Sequence, residues 1–286
     1  MRIDDDTPPP GSVPEIYPKR PPVNFLSDPA SLNPPNLFAF EGIDGAGKSQ
    51  VIRDVARVCA ARGREASVLK LGRSEVTGYA LERAKWLNSN PLTINLLNWI
   101  GIYEQFAEGQ AQLDSGALLF LDRYVLTIRV RGLLEGIPRS FTAELEHYAP
   151  RPRLMFLIDC DPELCARRIT ASGRPITYFE SGSRIVDGEH APMIETDPGA
   201  RRASSDRTPG LLAHLTRMRA AMLELAAGYD NVVIVDNAGP REDAVGTIIE
   251  AIENENPAST CAGEPRGIRE FAESMACDGP AREEGI

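Results

Sequence analysis

The sequence lacks several features of exported, membrane-spanning or metal-clustered proteins. Its longest apolar runs, such as residues 116–121, are far shorter than the ~20 residues that span a bilayer. Three aspartates follow the first isoleucine, where a secretory leader would have a basic and then an apolar stretch, so we expect no export. The 5 cysteines form no CxxC pair, and we expect them to be reduced thiols in the cytoplasm.

The chain also lacks the excess of basic residues that is typical of nucleic-acid-binding proteins. Its formal net charge is −10. Residues 1–36 carry −2 and residues 250–286 carry −6, which leaves −2 for the segment between them. A nucleic-acid polymer binds to a basic footprint, so we expect no such partner. The acidic excess at the end of the chain is typical of a solvated segment.

Composition divides the chain into three parts. Ten of the 23 prolines lie within the first 36 residues, so residues 1–35 are predicted to form an extended, disordered arm. Residues 254–286 are acidic and contain few large apolar side chains, which predicts a disordered tail. Residues 36–253 alternate short apolar strands with helical segments. This alternation predicts one α/β domain with a parallel sheet of about five strands and helices on both faces.

One long polar segment interrupts that alternation. Residues 179–210 are rich in Gly, Pro, Ser, Asp and Arg. Loops of this length in compact domains are functional lids or disordered insertions, and the composition leaves both interpretations open. We expect the lid and insertion together to occupy residues 172–210.

The most specific motif is FEGIDGAGKSQ at residues 40–50, which fits G-x-x-x-x-G-K-[ST] between an apolar strand and a helix. Its glycines let consecutive backbone N–H groups close around phosphate oxygens, and the helix start adds the positive end of its dipole. We expect a nucleoside triphosphate here, with Lys48 on its β- and γ-phosphates and the Ser49 hydroxyl on Mg²⁺. The predicted donor-binding residues of this loop are Gly42, Ile43, Asp44, Gly45, Ala46, Gly47, Lys48, Ser49 and Gln50.

A second charged pair follows a later buried strand, in the segment LDRY. An acid at the carboxyl end of such a strand lies beside the phosphate loop, where it can order the magnesium shell. Asp122 is that residue by position, so Ser49 and Asp122 are the predicted metal ligands. Arg123 comes next and is positioned to neutralise charge shared by donor and acceptor phosphates.

The segments FEGIDGAGKSQ, LDRY, LIDCDPELCARRITASGRP and VVIVDNAG occur in an order and spacing that resemble the thymidylate kinase family of nucleoside monophosphate kinases. The resemblance covers about residues 36–253. It implies a three-layer P-loop kinase fold with a lid, and transfer of the γ-phosphoryl group of ATP to a nucleoside 5′-monophosphate with Mg²⁺ present. dTMP is the leading acceptor. Family members are commonly homodimers, so the resemblance also implies a homodimer.

The resemblance further implies roles for individual residues. Asp44 matches a carboxylate that approaches the sugar 3′-hydroxyl of the acceptor, Arg123 bridges the two phosphate groups, and Arg168 lies near the donor nucleotide. Because Ala46 places no basic side chain in the loop, Arg174 at the start of the lid is expected to supply catalytic charge. The expected catalytic residues are Lys48, Asp122, Arg123 and Arg174.

The acceptor half of the sequence departs from the family pattern. Lys70 stands where the family has an arginine that grips the acceptor phosphate, with Arg73 close by. A second phosphate-binding arginine is absent from the long helix that follows. Gly132 replaces the glutamine that reads the thymine edge, with Arg129 and Arg131 nearby. The predicted acceptor-binding residues are Asp44, Lys70, Arg73, Arg123 and Arg131.

Two other functions stay open at this point. Deoxynucleoside kinases also carry a glycine-rich turn and a D-R pair, and there Glu41 would be the base that deprotonates a 5′-hydroxyl. The altered acceptor motifs and the long arms also fit a non-catalytic P-loop nucleotide-binding protein. A GTPase switch is not expected, because no N-K-x-D motif follows any predicted strand.

Overall fold

The computed structural model describes residues 33–87, 89–173, 176, 185–186, 189–190 and 208–255. Helices and strands alternate along these ranges, with one small strand pair inside the region of the expected lid. In chain order the elements are β1 (Leu37–Glu41), α1 (Lys48–Ala61), β2 (Ala66–Lys70), α2 (Thr77–Trp86), α3 (Pro91–Asp114), β3 (Leu118–Asp122), α4 (Val125–Leu134), α5 (Arg139–His147), β4 (Leu154–Asp159), α6 (Pro162–Ala171), β5 (Ile185–Val186), β6 (Glu189–His190), α7 (Thr208–Ala226), β7 (Val232–Asp236) and α8 (Arg241–Glu255).

Five strands form one parallel sheet in the order β2-β3-β1-β4-β7. The central strand β1 has β3 on one side and β4 on the other, and Phe40 lies opposite both Asp122 and Phe156. All five carboxyl ends therefore lie at the same edge of the sheet. The predicted parallel sheet of about five strands is confirmed, and the loop after β1 leaves from its middle.

Alternate strand residues face two separate cores, as expected for side chains that point to opposite faces of a sheet. On one face the phenylalanine rings of β1, β3 and β4 pack with side chains from α1, α6, α7 and α8. On the other face the alternate residues of these strands pack against α3. The result is three layers, a parallel sheet between two helical layers, which confirms the predicted α/β class.

Two helices were not expected from the sequence pattern. The first, α4, buries Val125, Thr127, Ile128 and Val130 among other residues and contributes to both cores. A helix with apolar residues around most of its circumference lacks the one-sided periodicity by which a surface helix is recognised. The short α5 follows at once and packs on α4.

The predicted arm (1–35), the predicted tail (254–286) and most of the predicted lid (172–210) lie outside the described residues, so these boundaries stay predictions. Among the helices that the structure does describe, none combines the length and the apolar character needed to cross a bilayer. Cys59, Cys160 and Cys165 are buried free thiols.

We predict that Phe120→Ala destabilises the fold strongly. The Phe120 ring is fully buried, and its centroid lies 5.3 Å from that of Phe40 and 6.1 Å from that of Phe38. Its removal should lower the free energy of unfolding by about 3–5 kcal/mol, measured by urea denaturation. The control Phe141→Ala, at a ring 38% exposed on α5, should cost less than about 1 kcal/mol. Equal losses in the two variants would contradict the packing described.

Candidate functional site

The loop between β1 and α1 has a backbone shape that only glycine adopts readily. Gly42, Gly45 and Gly47 have φ values of 139°, 81° and 87°. A Cβ on Gly42 would lie 2.4 Å from the Ile158 carbonyl oxygen, and one on Gly45 would lie 2.6 Å from that of Cys165. The loop is therefore pressed against β4 and α6, and its bare backbone leads directly into the N-terminus of α1.

Two side chains from later in the chain hold this loop in place. The Asn237 side chain donates from Nδ2 to the Ala46 carbonyl oxygen at 2.7 Å. Arg168 donates to the Asn237 carbonyl oxygen at 3.2 Å and to that of Gly45 at 3.5 Å. Arg168, predicted to lie near the donor nucleotide, is thus in contact with the phosphate loop. Asn237 was missed, although its position directly after β7 places it at the same edge of the sheet.

Lys48 is buried within the loop, at 6% exposure, and its Nζ donates to the Ile43 carbonyl oxygen at 2.8 Å. Burial lowers the pKa of Lys48, and the neighbouring Arg123 lowers it further. The carboxylates of Asp44 and Asp122 oppose this shift only in part, so that the pKa falls to about 7. An anion that entered the loop would favour the charged form of this lysine.

The two predicted metal ligands lie side by side. The Ser49 hydroxyl donates to Asp122 Oδ2 at 2.9 Å, and Lys70 Nζ lies 4.0 Å from the same oxygen. A hydroxyl and a carboxylate are the oxygen ligands that Mg²⁺ prefers, and here they converge at the start of α1. The residues present therefore fit a magnesium ion.

Arg123 occupies a strained position beside the loop. Its φ is 74°, and it is the one residue other than glycine with positive φ in the described part of the chain. Its guanidinium donates to the Gly42 carbonyl oxygen at 3.3 Å and to Thr127 Oγ1 at 3.4 Å, and it forms an ion pair with Asp44. Such backbone strain concentrates at functional sites, where surrounding contacts maintain it.

The charge of Asp44 is set by its arginine neighbours. Burial alone would raise the pKa of Asp44, but Arg123, Arg131 and Lys48 outweigh it and hold the pKa well below its usual range. Asp44 is therefore a carboxylate at neutral pH. The structure brings the predicted Asp44, Arg123 and Arg131 together in one cluster.

Glu41 has a structural role, different from that of the base that the deoxynucleoside kinase alternative assigned to it. It is fully buried, and its Oε1 accepts hydrogen bonds from the backbone N–H groups of Tyr124 at 3.0 Å and Thr127 at 3.2 Å. Its Oε2 accepts from the Thr127 hydroxyl. Burial raises the pKa of Glu41. Both carboxyl oxygens thus cap the start of α4, which does not favour Glu41 as a base for a nucleoside hydroxyl.

The other predicted acceptor-binding residues and the predicted catalytic residue Arg174 divide into three groups. Arg131 Nη2 lies 3.8 Å from Asp44 Oδ2, within the site. Lys70, half exposed, faces Asp122 at its margin, and Arg73 is exposed on the loop between β2 and α2. Arg174 lies outside the described residues.

Arg129 lies outside the candidate site. Its guanidinium pairs with Glu146 and donates to the Tyr229 hydroxyl at 2.6 Å, so that it joins α4 to α5 and to the segment before β7. Arg129 and Arg131 are two residues apart on α4 and therefore point in different directions. The structure thus places Arg131 in the site and Arg129 outside it, a distinction that their spacing in the sequence did not predict.

The face of α3 towards α4 is tightly packed. A Cβ on Gly132 would lie 2.9 Å from Asn95 Nδ2. The Asn95 side chain in turn accepts from Trp99 Nε1 at 3.0 Å, and both residues are buried. Ile102, one turn further along α3, is fully buried in the core. These positions contribute packing to the fold.

Comparisons with known proteins match this chain to one family. The family model for thymidylate kinase matches residues 40–182, which is half of the chain. A probable thymidylate kinase 2 of Saccharolobus solfataricus is 27% identical over 214 residues, covering 72% of this chain and 90% of the relative. A thymidylate kinase of Xylella fastidiosa is 29% identical over 153 residues, covering 52% and 73% respectively.

The fold and the glycine loop define a P-loop nucleotide-binding protein of the α/β class. The chain belongs to the thymidylate kinase family. Membership identifies it as a nucleoside monophosphate kinase and implies ATP as the phosphate donor. The predicted resemblance is confirmed, and the two alternative functions are not favoured.

We predict that ATP binding takes up protons above neutral pH. A lysine with a pKa lowered to about 7 is charged below pH 7 and mostly neutral at pH 8, whereas bound phosphates favour its ammonium form. ATP affinity should therefore fall as the pH rises from 7 to 9. Calorimetric titration at pH 8 in two buffers of different ionisation enthalpy should show the proton uptake.

The matched control for this experiment is Lys48→Arg, whose guanidinium stays charged throughout this range. It should bind ATP without proton uptake. Identical binding heats in the two buffers for the wild-type protein would contradict the lowered pKa of Lys48.

Proposed function

We propose that this chain transfers the γ-phosphoryl group of ATP to a nucleoside 5′-monophosphate, with dTMP as the leading acceptor, giving dTDP and ADP. The observation that carries this proposal is the contact of the P-loop with Asp122 and Arg123 at the carboxyl end of β3. Lys48 and Ser49 lie at the start of α1, and Asp122 and Arg123 lie at the adjacent strand end. This arrangement supports a site that holds a triphosphate tail next to a second anion.

The reaction forms a bond between an oxygen of the acceptor phosphate and the γ-phosphorus, and it breaks the bond between that phosphorus and the bridging oxygen, which leaves with ADP. The acceptor oxygen is already anionic, so the protein needs no strong base. Its task is positioning and charge neutralisation. Lys48 would bind the β- and γ-phosphates, and Arg123 would neutralise charge shared between donor and acceptor. Lys48, Arg123 and the backbone N–H groups of the loop would stabilise the negative charge that is spread over the transferring phosphoryl group.

Magnesium would be held by Ser49 and Asp122, whose oxygens lie 2.9 Å apart. When bound, the ion neutralises charge on the phosphate oxygens. Lys70, whose Nζ lies 4.0 Å from Asp122, would bind the acceptor from the margin of the site. This role for Lys70 agrees with its half-exposed position at the margin of the site.

The remaining roles follow from family membership and from the contacts described above. Asp44 would accept a hydrogen bond from the acceptor sugar, Arg168 would support the loop beneath the donor nucleotide, and Arg73 would assist Lys70. Arg174 would supply charge from the lid. A cytoplasmic location stays a prediction from the sequence.

The proposed activity predicts a clear order of acceptors. Purified protein supplied with ATP and Mg²⁺ should convert dTMP to dTDP, and it should leave thymidine unchanged, because thymidine brings no phosphate to the cations of the site. The measurement is product formation from a panel of thymidine, dTMP, dUMP, dCMP, dAMP and dGMP. Turnover of thymidine in place of dTMP would favour a deoxynucleoside kinase, and ATP binding without any transfer would favour a non-catalytic protein.

Two variants act as controls for that panel. Arg123→Ala removes the buried cation between the phosphates and should lower kcat about 10²–10³-fold. Lys48→Ala should likewise abolish most turnover, while circular dichroism shows a retained fold. Wild-type rates in either variant would contradict the assigned roles.

We also propose a homodimer, which the family resemblance implies. A stripe of apolar side chains at four-residue spacing runs along α3, with Leu92, Leu96 and Ile100 exposed by 43%, 37% and 47%. Tyr79 on the neighbouring α2 is 79% exposed. Contiguous exposed apolar surface of this kind typically marks an interaction site.

The dimer predicts a change of mass when this stripe is charged. The wild-type protein should sediment at twice the 31.2 kDa chain mass, and Ile100→Glu should sediment as a monomer. Ile234→Glu, at a 55% exposed position on the opposite edge strand β7, should leave the mass unchanged. A wild-type protein that sediments at the mass of one chain would contradict the dimer.

A further inference from the structure

Two successive carbonyl groups of the P-loop accept hydrogen bonds from side chains that come much later in the chain. The Ala46 oxygen accepts from Asn237 Nδ2 at 2.7 Å, and the Gly45 oxygen accepts from Arg168 at 3.5 Å. The bond from Asn237 has the shorter and more favourable length. The C=O and N–H groups of a planar trans peptide point in opposite directions. A donor that holds the Ala46 oxygen therefore also fixes the direction of the N–H group that follows it.

Asn237 is itself firmly placed. It is 3% exposed, and its backbone N–H donates to the Asp159 carbonyl oxygen at 2.9 Å, at the end of β4. Its own carbonyl oxygen accepts from Arg168 at 3.2 Å. A Cβ on Gly47 would lie 2.6 Å from Asn237 Nδ2. The Asn237 amide thus lies directly against the peptide between Ala46 and Gly47, and it leaves room there for glycine alone.

The peptide between Ala46 and Gly47 has a second orientation within reach if its oxygen is released. Gly47 has a φ of 87°, and glycine adopts a φ near −90° about as readily. A half-turn of the peptide would exchange these two φ values and would place the Ala46 oxygen where the Gly47 N–H now points. This position adjoins the first N–H groups of α1, which have no acceptor within the helix. A carbonyl oxygen there would repel a phosphate.

We propose that Asn237 is a positioning residue for ATP, which keeps the peptide between Ala46 and Gly47 in the orientation that directs the Gly47 N–H towards the phosphates. This inference rests on the proposed function, because it takes ATP as the ligand of the loop. Asn237 acts through the loop backbone. Its loss should therefore weaken the binding of the phosphate chain and leave the binding of the nucleoside part unchanged.

The test compares the binding of ATP, tripolyphosphate and adenosine to the wild-type protein and to Asn237→Ala by calorimetric titration with Mg²⁺ present. The variant leaves the buried Ala46 oxygen without its donor, so ATP and tripolyphosphate should bind roughly ten- to hundredfold more weakly. Adenosine affinity should change less than about twofold. In steady state the KM for ATP should rise while the KM for dTMP stays constant.

A second variant, Asn237→Asp, keeps the shape of the side chain and turns an acceptor towards the Ala46 oxygen. It should weaken ATP at least as strongly as Asn237→Ala, and it provides the same test if the alanine variant does not fold. Circular dichroism reports whether each variant retains its fold.

The matched control is Asn231→Ala, at the other end of β7. The Asn231 side chain also donates to a carbonyl oxygen, that of Pro152, at 2.8 Å. Its removal should lower the free energy of unfolding about as much as Asn237→Ala does, without changing ATP affinity.

Three results would overturn the role of Asn237 while the proposed function stands. They are an unchanged ATP affinity in the folded Asn237 variants, an equal weakening of ATP and adenosine, and an equal weakening of ATP in Asn231→Ala. A wild-type protein that binds no ATP would overturn the proposed function and this inference together.

Discussion

The parallel, in-register pairing of β1 with β3 is the constraint on which the rest of the site depends. Phe40 lies opposite Asp122, and the backbone N–H of Arg123 donates to the Phe40 carbonyl oxygen at 2.9 Å. Because both strands end at the same edge, the glycine loop and the acid–arginine pair emerge side by side. The contacts of Ser49 with Asp122 and of Arg123 with Asp44 follow from this placement. A shift of register would separate donor-binding from acceptor-binding groups.

The sharp turn at Arg123 connects this sheet edge to the acceptor side. A non-glycine residue at a φ of 74° costs of order 1–3 kcal/mol, so neighbouring contacts must offset it. Glu41 does so, because its carboxyl oxygens accept from Tyr124 and Thr127 and thereby fix the first turn of α4. An acidic group at this end also suits the helix dipole. As a result α4 begins immediately after the turn, and Arg131, one turn into the helix, lies 3.8 Å from Asp44 of the P-loop.

The sequence predicted the donor half of the site better than the acceptor half, for a physical reason. The phosphate loop is one contiguous segment whose backbone conformation requires its glycines, so its motif can be recognised in the sequence. Arg129 and Arg131 could not be separated, because their roles depend on which face of α4 each occupies, and α4 itself lacks a one-sided apolar pattern. Asn237 was missed for a similar reason, since its contact with Ala46 spans 191 positions in the chain.

The charges of the site are paired before any substrate arrives. Asp44 lies against Arg123 and Arg131, and Asp122 lies against Lys70. An incoming phosphate therefore competes with a carboxylate for an oriented cation. This arrangement keeps the guanidinium groups partly desolvated and already oriented. Less reorganisation of these side chains is then needed when the acceptor phosphate is brought beside the triphosphate. In the proposed reaction, a carboxylate displaced from its cation would be left to bind the substrate or the metal, so one exchange would serve both binding and orientation.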